Sequence, residues 1–332
     1  MKIFVTAGSG YCGARMVPQL LELGYEVTVY DTCFFGSDFL PLDNSRFHLI
    51  KGDIRDTALL EKSCLEHDVF LNLACISNDA SFELDEALST SVNLEAFLPM
   101  VQAAKRSGVK RFIYASSSSV YGVSDAPEVT EDHPLVPLTL YNKYKGMCEP
   151  LLFSEADENF VTVVFRPATV CGFSPRQRLD VSVNILTNLA VNSNKITVFG
   201  GNQRRPNIHI QDYIDVVKVL ITAPAEKIQK QIFNVGNENL TISAIAEVVR
   251  KVVLRNFPEK TDLEVVQSQS DDNRSYHINS NKIERVLGFR ATRTVEDAAQ
   301  ELCEAFKNGL LPNSLADEKY FNVKTLKGMA IK

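Results

Sequence analysis

The first thirteen residues constrain the fold of this chain more than any other segment. Lys2 to Thr6 form an apolar run, and Gly8-Ser9-Gly10-Tyr11-Cys12-Gly13 follows almost at once. Apolar residues then recur at helical spacing from Met16 to Leu23. A glycine-rich turn between a strand and a helix lets backbone N–H groups approach a diphosphate, and the helix N-terminus favours negative charge there. The segment therefore predicts a strand-turn-helix unit that binds a dinucleotide.

A second apolar run ends at an acidic residue. Glu26 to Tyr30 is typical of a strand, and Asp31 follows it directly. A carboxylate about 20 residues beyond a glycine turn can accept hydrogen bonds from the adenosine ribose. Its charge would repel a phosphate on that ribose, and no arginine stands beside it in Thr32-Cys33. The pattern favours NAD over NADP, and the alternative is a tight turn followed by an exposed aspartate.

Strand-like runs alternate with helical patterns through the first half of the chain. Further runs are Phe47 to Lys51, Val69 to Leu73, Arg111 to Ser116 and Val161 to Arg166. Such alternation predicts an α/β fold with a Rossmann-type, doubly wound parallel sheet, whose ligands bind at the carboxyl ends of the strands. We expect residues 1–170 to form the dinucleotide-binding domain, because the rhythm changes after Arg166. Residues 171–311 are expected to form mainly a smaller substrate-binding lobe, with some segments returning to the first domain, and 312–332 a loosely docked tail.

Composition limits the class of protein. The 332 residues are 45% hydrophobic and 23% charged, as is ordinary for a soluble enzyme, and the net charge of -6 argues against a nucleic-acid partner. The seven cysteines lack Cys-x-x-Cys spacing and the histidines lack metal-ligand spacing, so we expect reduced thiols and no metal site. No run of eighteen apolar residues and no signal peptide is present. These features predict a cytoplasmic protein without a membrane partner.

Tyr141 and Lys145 form a candidate proton-transfer pair, shortly after the serine cluster Ser116 to Ser119. On a helix, residues four apart share one face, so the ammonium can lie beside the phenol. Bringing the tyrosine pKa from about 10 to neutrality requires roughly 4 kcal/mol. One ammonium at about 4 Å in partly screened surroundings supplies a similar amount. The spacing alone often arises by chance, and the glycine turn gives it weight.

These motifs together resemble the extended short-chain dehydrogenase/reductase family, specifically its nucleotide-sugar epimerases and dehydratases, over nearly the whole chain. The family's T-G-G-x-G-F-I-G is similar to Thr6 to Gly13, with Ala7 where a glycine is usual. Its G-D-[IL]-x-D resembles Gly52 to Asp56, and its H-L-A-A resembles Asn72 to Cys75, with asparagine in place of histidine. The resemblance implies NAD as the cofactor, bound by Gly8, Gly10, Tyr11, Cys12, Gly13, Asp31, Asp53, Ile54, Leu73, Ala74, Asn93 and Lys145.

The segment Ala115 to Gly122 resembles the family's S-S-[ST]-x-x-V-Y-G. The resemblance implies Ser117 as the catalytic serine and Tyr141 as the general base, with Lys145 lowering the tyrosine pKa and holding the nicotinamide ribose. At the next two positions, related 4,6-dehydratases carry Asp and Glu, decarboxylases keep Glu in the second, and 3,5-epimerases use Cys. This chain has Ser118 and Ser119, whose hydroxyls are poor acids and bases near neutral pH. The tyrosine and lysine are therefore expected to be the main proton-handling groups.

A second group of residues is implied for the substrate, expected to be a nucleotide-diphosphate sugar. Arg205 resembles the phosphate-binding arginine of R-D-Y-I-H-V-x-D, a task that suits a bidentate guanidinium. Arg176 and Arg178 either bind a ligand or are loop arginines without one, and Asn78 and Asp79 either contact the sugar or lie in a solvated loop. The candidate substrate-binding residues are Ser77, Asn78, Ser118, Thr169, Asn184, Phe199, Arg205 and Arg274.

The leading hypothesis is an NAD-dependent epimerase that acts at carbon 4 of a nucleotide-diphosphate sugar through a transient 4-keto intermediate. A homodimer is implied by the resemblance. The enzyme alternatives are a nucleotide-sugar 4-dehydrogenase or ketoreductase, which would change nicotinamide absorbance during turnover, and a dehydratase. The non-enzyme alternative is a dinucleotide-sensing regulator. Such regulators tend to lose the tyrosine and lysine, and this chain keeps both.

Overall fold

The computed structural model describes residues 1–77, 79–269 and 275–328 of the chain. Its strands are β1 (Lys2–Thr6), β2 (Glu26–Asp31), β3 (Phe47–Lys51), β4 (Val69–Asn72), β5 (Arg111–Ala115), β6 (Val161–Pro167), β7 (Thr169–Cys171), β8 (Lys195–Phe199), β9 (Arg204–His209), β10 (Gln231–Val235), β11 (Glu238–Thr241) and β12 (Glu264–Ser268). Its helices are α1 (Tyr11–Glu22), α2 (Thr57–Ser63), α3 (Asp79–Phe82), α4 (Glu86–Thr90), α5 (Phe97–Arg106), α6 (Leu140–Ser154), α7 (Ser182–Ser193), α8 (Ile210–Thr222), α9 (Ala225–Ile228), α10 (Ile242–Asn256), α11 (Asn281–Leu287), α12 (Val295–Lys307) and α13 (Asn322–Gly328).

The central sheet has seven parallel strands in the order β10-β6-β5-β4-β1-β2-β3. The chain winds in one direction from β1 to β3 and in the other from β4 to β6, so the strand order reverses between β1 and β4. In such sheets ligands bind in the crevice outside the carboxyl ends of the strands at this reversal. The predicted Rossmann-type fold class is confirmed, and the strand predictions for β1 and β3 match the observed bounds.

Successive residues of the buried strands point to opposite faces of the sheet, and each face has its own apolar core. On β1, Ile3 and Val5 belong to one core, together with the apolar side of α1 and α8. Phe4, between them, belongs to the other core, with α5 and α6. This arrangement explains why the strands of this sheet have continuous apolar sequences rather than alternating ones.

Helix α6 carries the predicted catalytic tyrosine and lysine on one face. Thr139 caps its N-terminus, with the hydroxyl accepting the N–H of Asn142 at 3.3 Å. Tyr141, Lys145 and Glu149 follow at four-residue spacing, which places them along the same side of the helix. The Glu149 end of this face is deeply buried, whereas the Tyr141 end reaches the crevice of the sheet.

The second half of the chain forms two small sheets, β11-β9-β7 and β12-β8. Helices α7, α10 and α12 pack together beside them around a separate apolar core. Strand β10 returns to the central sheet, where it pairs with β6. The predicted division at residue 170 and again at residue 311 stays a prediction. Among the described residues, no helix is both long and apolar enough to cross a membrane.

Several residues of the C-terminal segment 312–328 contact the rest of the chain, and the expectation of a loosely docked tail stays a prediction. Ser314 is buried, and its hydroxyl donates to the Asn188 side chain at 2.6 Å. The carbonyl of Tyr320 accepts the N–H of Leu179 at 2.8 Å, and the two side chains share an apolar cluster. Ser314 and Asn322 bond to distant parts of the chain, whereas Glu318, Lys319 and Lys324 are exposed.

Candidate active site

A cavity of about 400 Å³ opens at the carboxyl ends of the central strands, where the strand order reverses. It brings together most of the residues predicted to bind the cofactor. Those that line it are Gly10, Tyr11, Cys12, Gly13, Asp31, Asp53, Ile54, Leu73, Ala74 and Lys145. Ser117 and Tyr141 line the same cavity. The predicted cofactor and catalytic residues therefore share one enclosed space.

The glycine turn is as tight as a diphosphate-binding turn requires. A Cβ atom on Gly13 would overlap the carbonyl of Gly8, and one on Gly8 would overlap the Val29 side chain. Ala7 has a φ of 55°, so it keeps the left-handed conformation at a position where the family usually has glycine. Helix α1 begins directly after the turn at Tyr11, with its first residues facing the cavity. Gly8 itself does not line the cavity, and it allows the turn to pack closely against Val29 and Gly13.

Asp31 and Asp53 are both held in place at the cavity. Asp31 accepts the N–H groups of Ser9 at 2.9 Å and Cys33 at 2.8 Å, one on each carboxylate oxygen. A carboxylate has about four acceptor sites, so Asp31 can still accept from a ribose. Burial raises the pKa of Asp53, but the Arg55 guanidinium at 2.7 Å outweighs it and holds that pKa below its usual value.

Asn93, a predicted cofactor contact, does not line the cavity. It lies in a π-helical turn at Ser91–Glu95, and its carboxamide bonds the backbone of Ile76 in both directions. The oxygen accepts the Ile76 N–H at 2.8 Å, and the amide donates to the Ile76 carbonyl at 3.0 Å. Asn93 therefore fixes the cavity wall formed by residues 73–77.

Ser117 lies at the start of a short 3-10 turn, where its hydroxyl accepts the N–H of Ser119 at 3.2 Å. The two hydroxyl oxygens are 2.7 Å apart, and the Ser119 hydroxyl donates to the Asn142 side chain at 2.5 Å. Both serines line the cavity. The sequence interpretation missed this chain of hydrogen bonds, although Asn142 stands next to Tyr141 in the candidate motif.

The surroundings of Tyr141 and Lys145 include a second cation, Arg178. The Lys145 ammonium donates to the Ala115 carbonyl at 2.8 Å and lies 5.0 Å from the ring centre of Tyr114. Burial raises the pKa of Tyr141 well above its ordinary value, and the charge that opposes this rise is that of Arg178. Arg178 is therefore a further cation that lowers this pKa, and the pKa-lowering role of Lys145 stays a prediction.

A carboxylic acid also reaches this end of the cavity, which the positions after Ser117 did not indicate. Asp79 at the start of α3 lines the cavity, and its carboxylate accepts the Thr139 hydroxyl at 2.5 Å. Its charge, like that of Cys75 beside it, adds to the raised pKa of Tyr141. Asp79 is therefore a further candidate for proton transfer in this cavity, beside Tyr141 and Lys145.

The predicted substrate-binding residues divide into three groups. Ser77 and Thr169 line the cavity. Ser118, Asn184, Phe199 and Arg205 do not, and three of them have clear reasons. The hydroxyl of Ser118 is buried 3.3 Å from the Tyr276 hydroxyl, the Asn184 carboxamide is fully buried against backbone groups, and Phe199 is 59% exposed. Asn78 and Arg274 lie outside the described residues. The roles of these residues stay predictions.

Fold and site together define an enzyme of the extended short-chain dehydrogenase/reductase type. The chain belongs to the NAD dependent epimerase/dehydratase family, whose model matches residues 3–236. The cofactor is NAD, as the family description states. The tight glycine turn, the open acceptor sites of Asp31 and the buried guanidinium groups of Arg176 and Arg178 in the cavity all fit a dinucleotide.

Relatives of this chain include enzymes of more than one reaction class. Low-salt glycan biosynthesis protein Agl12 of Haloferax volcanii is 27% identical over 308 residues, 90% of this chain and 96% of that protein. A dTDP-glucose 4,6-dehydratase of Streptomyces niveus is 24% identical over 333 residues, 93% of each chain. The solved UDP-glucose 4-epimerase of Thermotoga maritima with UDP-glucose, 24% identical, superposes with a TM-score of 0.83 over 93% of this chain and 100% of its own. The last likeness shows the fold.

Metal ligation and disulfide bonding have no candidate in the part of the chain that the structure describes. Residues 1–77, 79–269 and 275–328 contain no group of three or more His, Cys, Asp or Glu side chains arranged to hold a metal ion. All seven cysteines are unpaired. The chemistry of the cavity therefore has to be derived from its hydroxyl, phenol, ammonium, guanidinium and carboxylate groups.

Proposed function

We propose that this protein epimerises a nucleotide-diphosphate sugar at carbon 4 through a transient 4-keto sugar. The observation that carries the proposal is that Tyr141 and Ser117 line one cavity with the glycine turn and Asp31, while serines occupy both positions after Ser117. Bound NAD supplies an acceptor for the hydride of the sugar carbon and returns it. Absence of a paired Asp and Glu after Ser117 supports epimerisation over 4,6-dehydration.

The residues of the chain would handle the proton and orient the sugar. The Tyr141 phenolate would accept the proton of the sugar hydroxyl as the ketone forms and return it to the new hydroxyl. The Ser119 N–H would hold the oxygen of Ser117, whose hydroxyl proton would turn from the Ser119 hydroxyl to the same sugar oxygen. Lys145 and Arg178 bring positive charge to this end of the cavity, which favours the phenolate.

Dehydration is the second candidate reaction, and Asp79 is the observation that favours it. Its carboxylate lines the same cavity and acts on the pKa of Tyr141. A carboxylate there could remove a proton from a sugar carbon next to the 4-keto group. A net oxidation or reduction at carbon 4 uses the same Tyr141 and Ser117 chemistry and differs only in whether the hydride returns.

Product analysis with a panel of nucleotide hexoses tests the proposal. We expect an epimer of unchanged mass, with no lasting change at the nicotinamide absorbance band. Loss of one water would favour the dehydratase, and a sustained absorbance change would identify a net-redox enzyme. Tyr141→Phe should lower kcat roughly 100-fold or more. Tyr144→Phe on the same helix is the matched control, because its ring packs against Phe82 at 5.6 Å.

Full activity of Tyr141→Phe would contradict catalysis by this site and would favour the regulator. We further propose a homodimer through α5 and α6, where the apolar side chain of Met147 is 42% exposed. Light scattering of the purified protein tests it, and a monomer at micromolar concentration would refute it. The cytoplasmic location stays a prediction that cell fractionation can test.

A further inference from the structure

Arg176 is a buried cation whose only side-chain hydrogen bond in the described part of the chain is to a neutral group. Its side chain is 4% exposed, and one terminal nitrogen donates to the Asn322 carboxamide oxygen at 2.6 Å. The guanidinium lies 3.7 Å from the ring centre of Phe35. Its Nε–H group is buried and has no hydrogen-bond partner among the described residues. A buried charge in this state is costly unless something pairs with it.

Arg178 lines the same cavity and is only partly neutralised. Its Nε donates to Asp180 at 2.9 Å, and Nη1 donates to the Ser77 hydroxyl at 3.3 Å. The remaining terminal nitrogen, Nη2, is buried and unpaired within residues 1–77, 79–269 and 275–328. Both arginines line one cavity, and each has a buried N–H group without a partner in the described part of the chain.

The charges around these arginines leave the cavity positive at this point. Burial, and then the repulsion of Arg178, lower the pKa of Arg176 to about 9, so it keeps its charge at neutral pH. The carboxylates that act on it are Asp180, already bonded to Arg178, and Asp31, which accepts two backbone N–H groups. An anion in the cavity would balance the charge of these two arginines.

The position of the pair indicates which anion. The charges of Arg178 and Arg176 both act on the thiol of Cys12, lowering a pKa that burial raises to about 12. Cys12 lies in the first turn of α1, directly after the glycine turn that favours a diphosphate. Guanidinium groups and helix N–H groups therefore converge on the same place. A diphosphate carries the charge and the acceptor oxygens that both sets of donors require.

Asn322 in the C-terminal segment forms hydrogen bonds to Arg176 and to the residues that bind Arg178. The Asn322 carboxamide accepts from Arg176 at 2.6 Å and donates to the Ser77 hydroxyl at 3.0 Å, while its backbone N–H donates to Asp180 at 2.8 Å. Asn322 and Leu326 of α13 also line the cavity. One residue thus joins the loop of residues 176–180 to the loop that follows β4.

We infer that Arg176 and Arg178 bind the diphosphate of NAD, and that residues 314–328, through Asn322, act as a latch that retains the bound cofactor. This goes beyond the proposed function and holds whichever reaction the site performs. The latch explains why Asn322, in a polar C-terminal segment, is buried at the cavity. It also assigns a ligand to the two arginines whose role the sequence left open.

The first test is the dissociation rate of NADH from the purified full chain, followed by its fluorescence. Asn322→Ala should release NADH roughly tenfold faster, because one charge-supporting hydrogen bond and the link to Ser77 are lost. Asn308→Ala is the matched control, since Asn308 is an exposed residue at the end of α12. Equal dissociation rates for the two variants would overturn the latch.

The second test separates a diphosphate contact from a merely structural role. ADP and adenosine are compared as competitors of NADH. Arg176→Gln should weaken ADP roughly 100-fold and leave adenosine unchanged, whereas Arg290→Gln, at a side chain 75% exposed, should change neither. Equal losses for ADP and adenosine would mean that Arg176 only supports the fold. Arg176→Gln could instead weaken the binding of UDP to the NAD-loaded protein and leave the affinity for ADP unchanged. In that case Arg176 and Arg178 bind the sugar nucleotide, and the inference is wrong.

Discussion

Two buried arginines of this chain, Arg166 on β6 and Arg176 beside the cavity, are almost equally hidden, with 3% and 4% of each exposed. Arg166 donates to both carboxylate oxygens of Glu149, at 2.9 and 2.5 Å, and to the Tyr121 hydroxyl at 2.7 Å. Arg176 has no such carboxylate partner within residues 1–77, 79–269 and 275–328. Against the effect of burial, Glu149 raises the pKa of Arg166, whereas burial lowers the pKa of Arg176. The extent of burial does not tell an arginine that supports the fold from one that binds a ligand. The position of the negative charge that pairs with the arginine does tell them apart.

The Arg166 cluster is closed on itself and supports the site from behind. Glu149 also accepts the Ser116 hydroxyl at 2.7 Å, and Tyr121 donates to Asn234 at 2.7 Å. The cluster thus joins β5, α6, β6 and β10 directly beneath the serine segment. Because Glu149 lies one turn beyond Lys145 on α6, it fixes the helical face that carries the candidate catalytic residues.

The largest expected effect comes from opening the closed cluster. Glu149→Gln leaves Arg166 buried without its counter-charge, and we expect the free energy of unfolding to fall by about 3 to 5 kcal/mol. Urea unfolding measures it. Glu158→Gln is the control, at an exposed glutamate in the turn that follows α6. Replacing both partners, with Glu149→Leu and Arg166→Met, should recover much of the loss. If Glu149→Gln lowers the free energy of unfolding by less than about 1 kcal/mol, the contrast between Arg166 and Arg176 is wrong.

The next largest effect concerns Arg178, which is intermediate between Arg166 and Arg176. It has one carboxylate partner, Asp180, and one terminal nitrogen without a partner among the described residues. Its charge lowers a Tyr141 pKa that burial raises. Removing that charge in Arg178→Gln should raise the tyrosine pKa further, so less phenolate is present at any pH. The acid limb of the pH profile of kcat, measured at saturating NADH or NAD, should move to higher pH by about one unit. Arg290→Gln should leave the profile in place, and an unmoved limb in Arg178→Gln would contradict the coupling.

The same contrast explains what the sequence could predict. The strands, the glycine turn, Asp31, Ser117, Tyr141 and Lys145 stand in short local motifs, and all of them meet in the cavity or its walls. Local motifs report on residues that share one turn or strand end. Asn322 lies 146 positions from Arg176, so no local pattern connects them. The serine positions after Ser117 likewise carried no information on Asp79, which arrives from α3.

The roles predicted for Asn184 and Asn93 stay predictions, and the structure shows what else these residues do. Asn184 and Asn93 are both asparagines whose carboxamides bond backbone groups of the cavity wall rather than face the cavity. A sequence pattern cannot distinguish an amide that bonds a ligand from one that shapes the wall around it, because both positions need the same side chain. Only the hydrogen-bond partners separate the two uses.

The smallest expected effect is that of Arg176→Met on the stability of the NAD-free protein, and it tests the contrast between Arg176 and Arg166 most directly. Arg176→Met removes a buried charge that lacks a counter-charge, so the NAD-free protein should change in stability by no more than about 1 kcal/mol. The same variant at saturating NAD should lose stabilisation, by about 2.7 kcal/mol for a hundredfold weaker cofactor. Urea unfolding with and without NAD gives both values, with Arg290→Met as the control. If Arg176→Met costs the NAD-free protein as much as Glu149→Gln does, then Arg176 belongs to the scaffold, and missing counter-charge would not mark a ligand site in this chain.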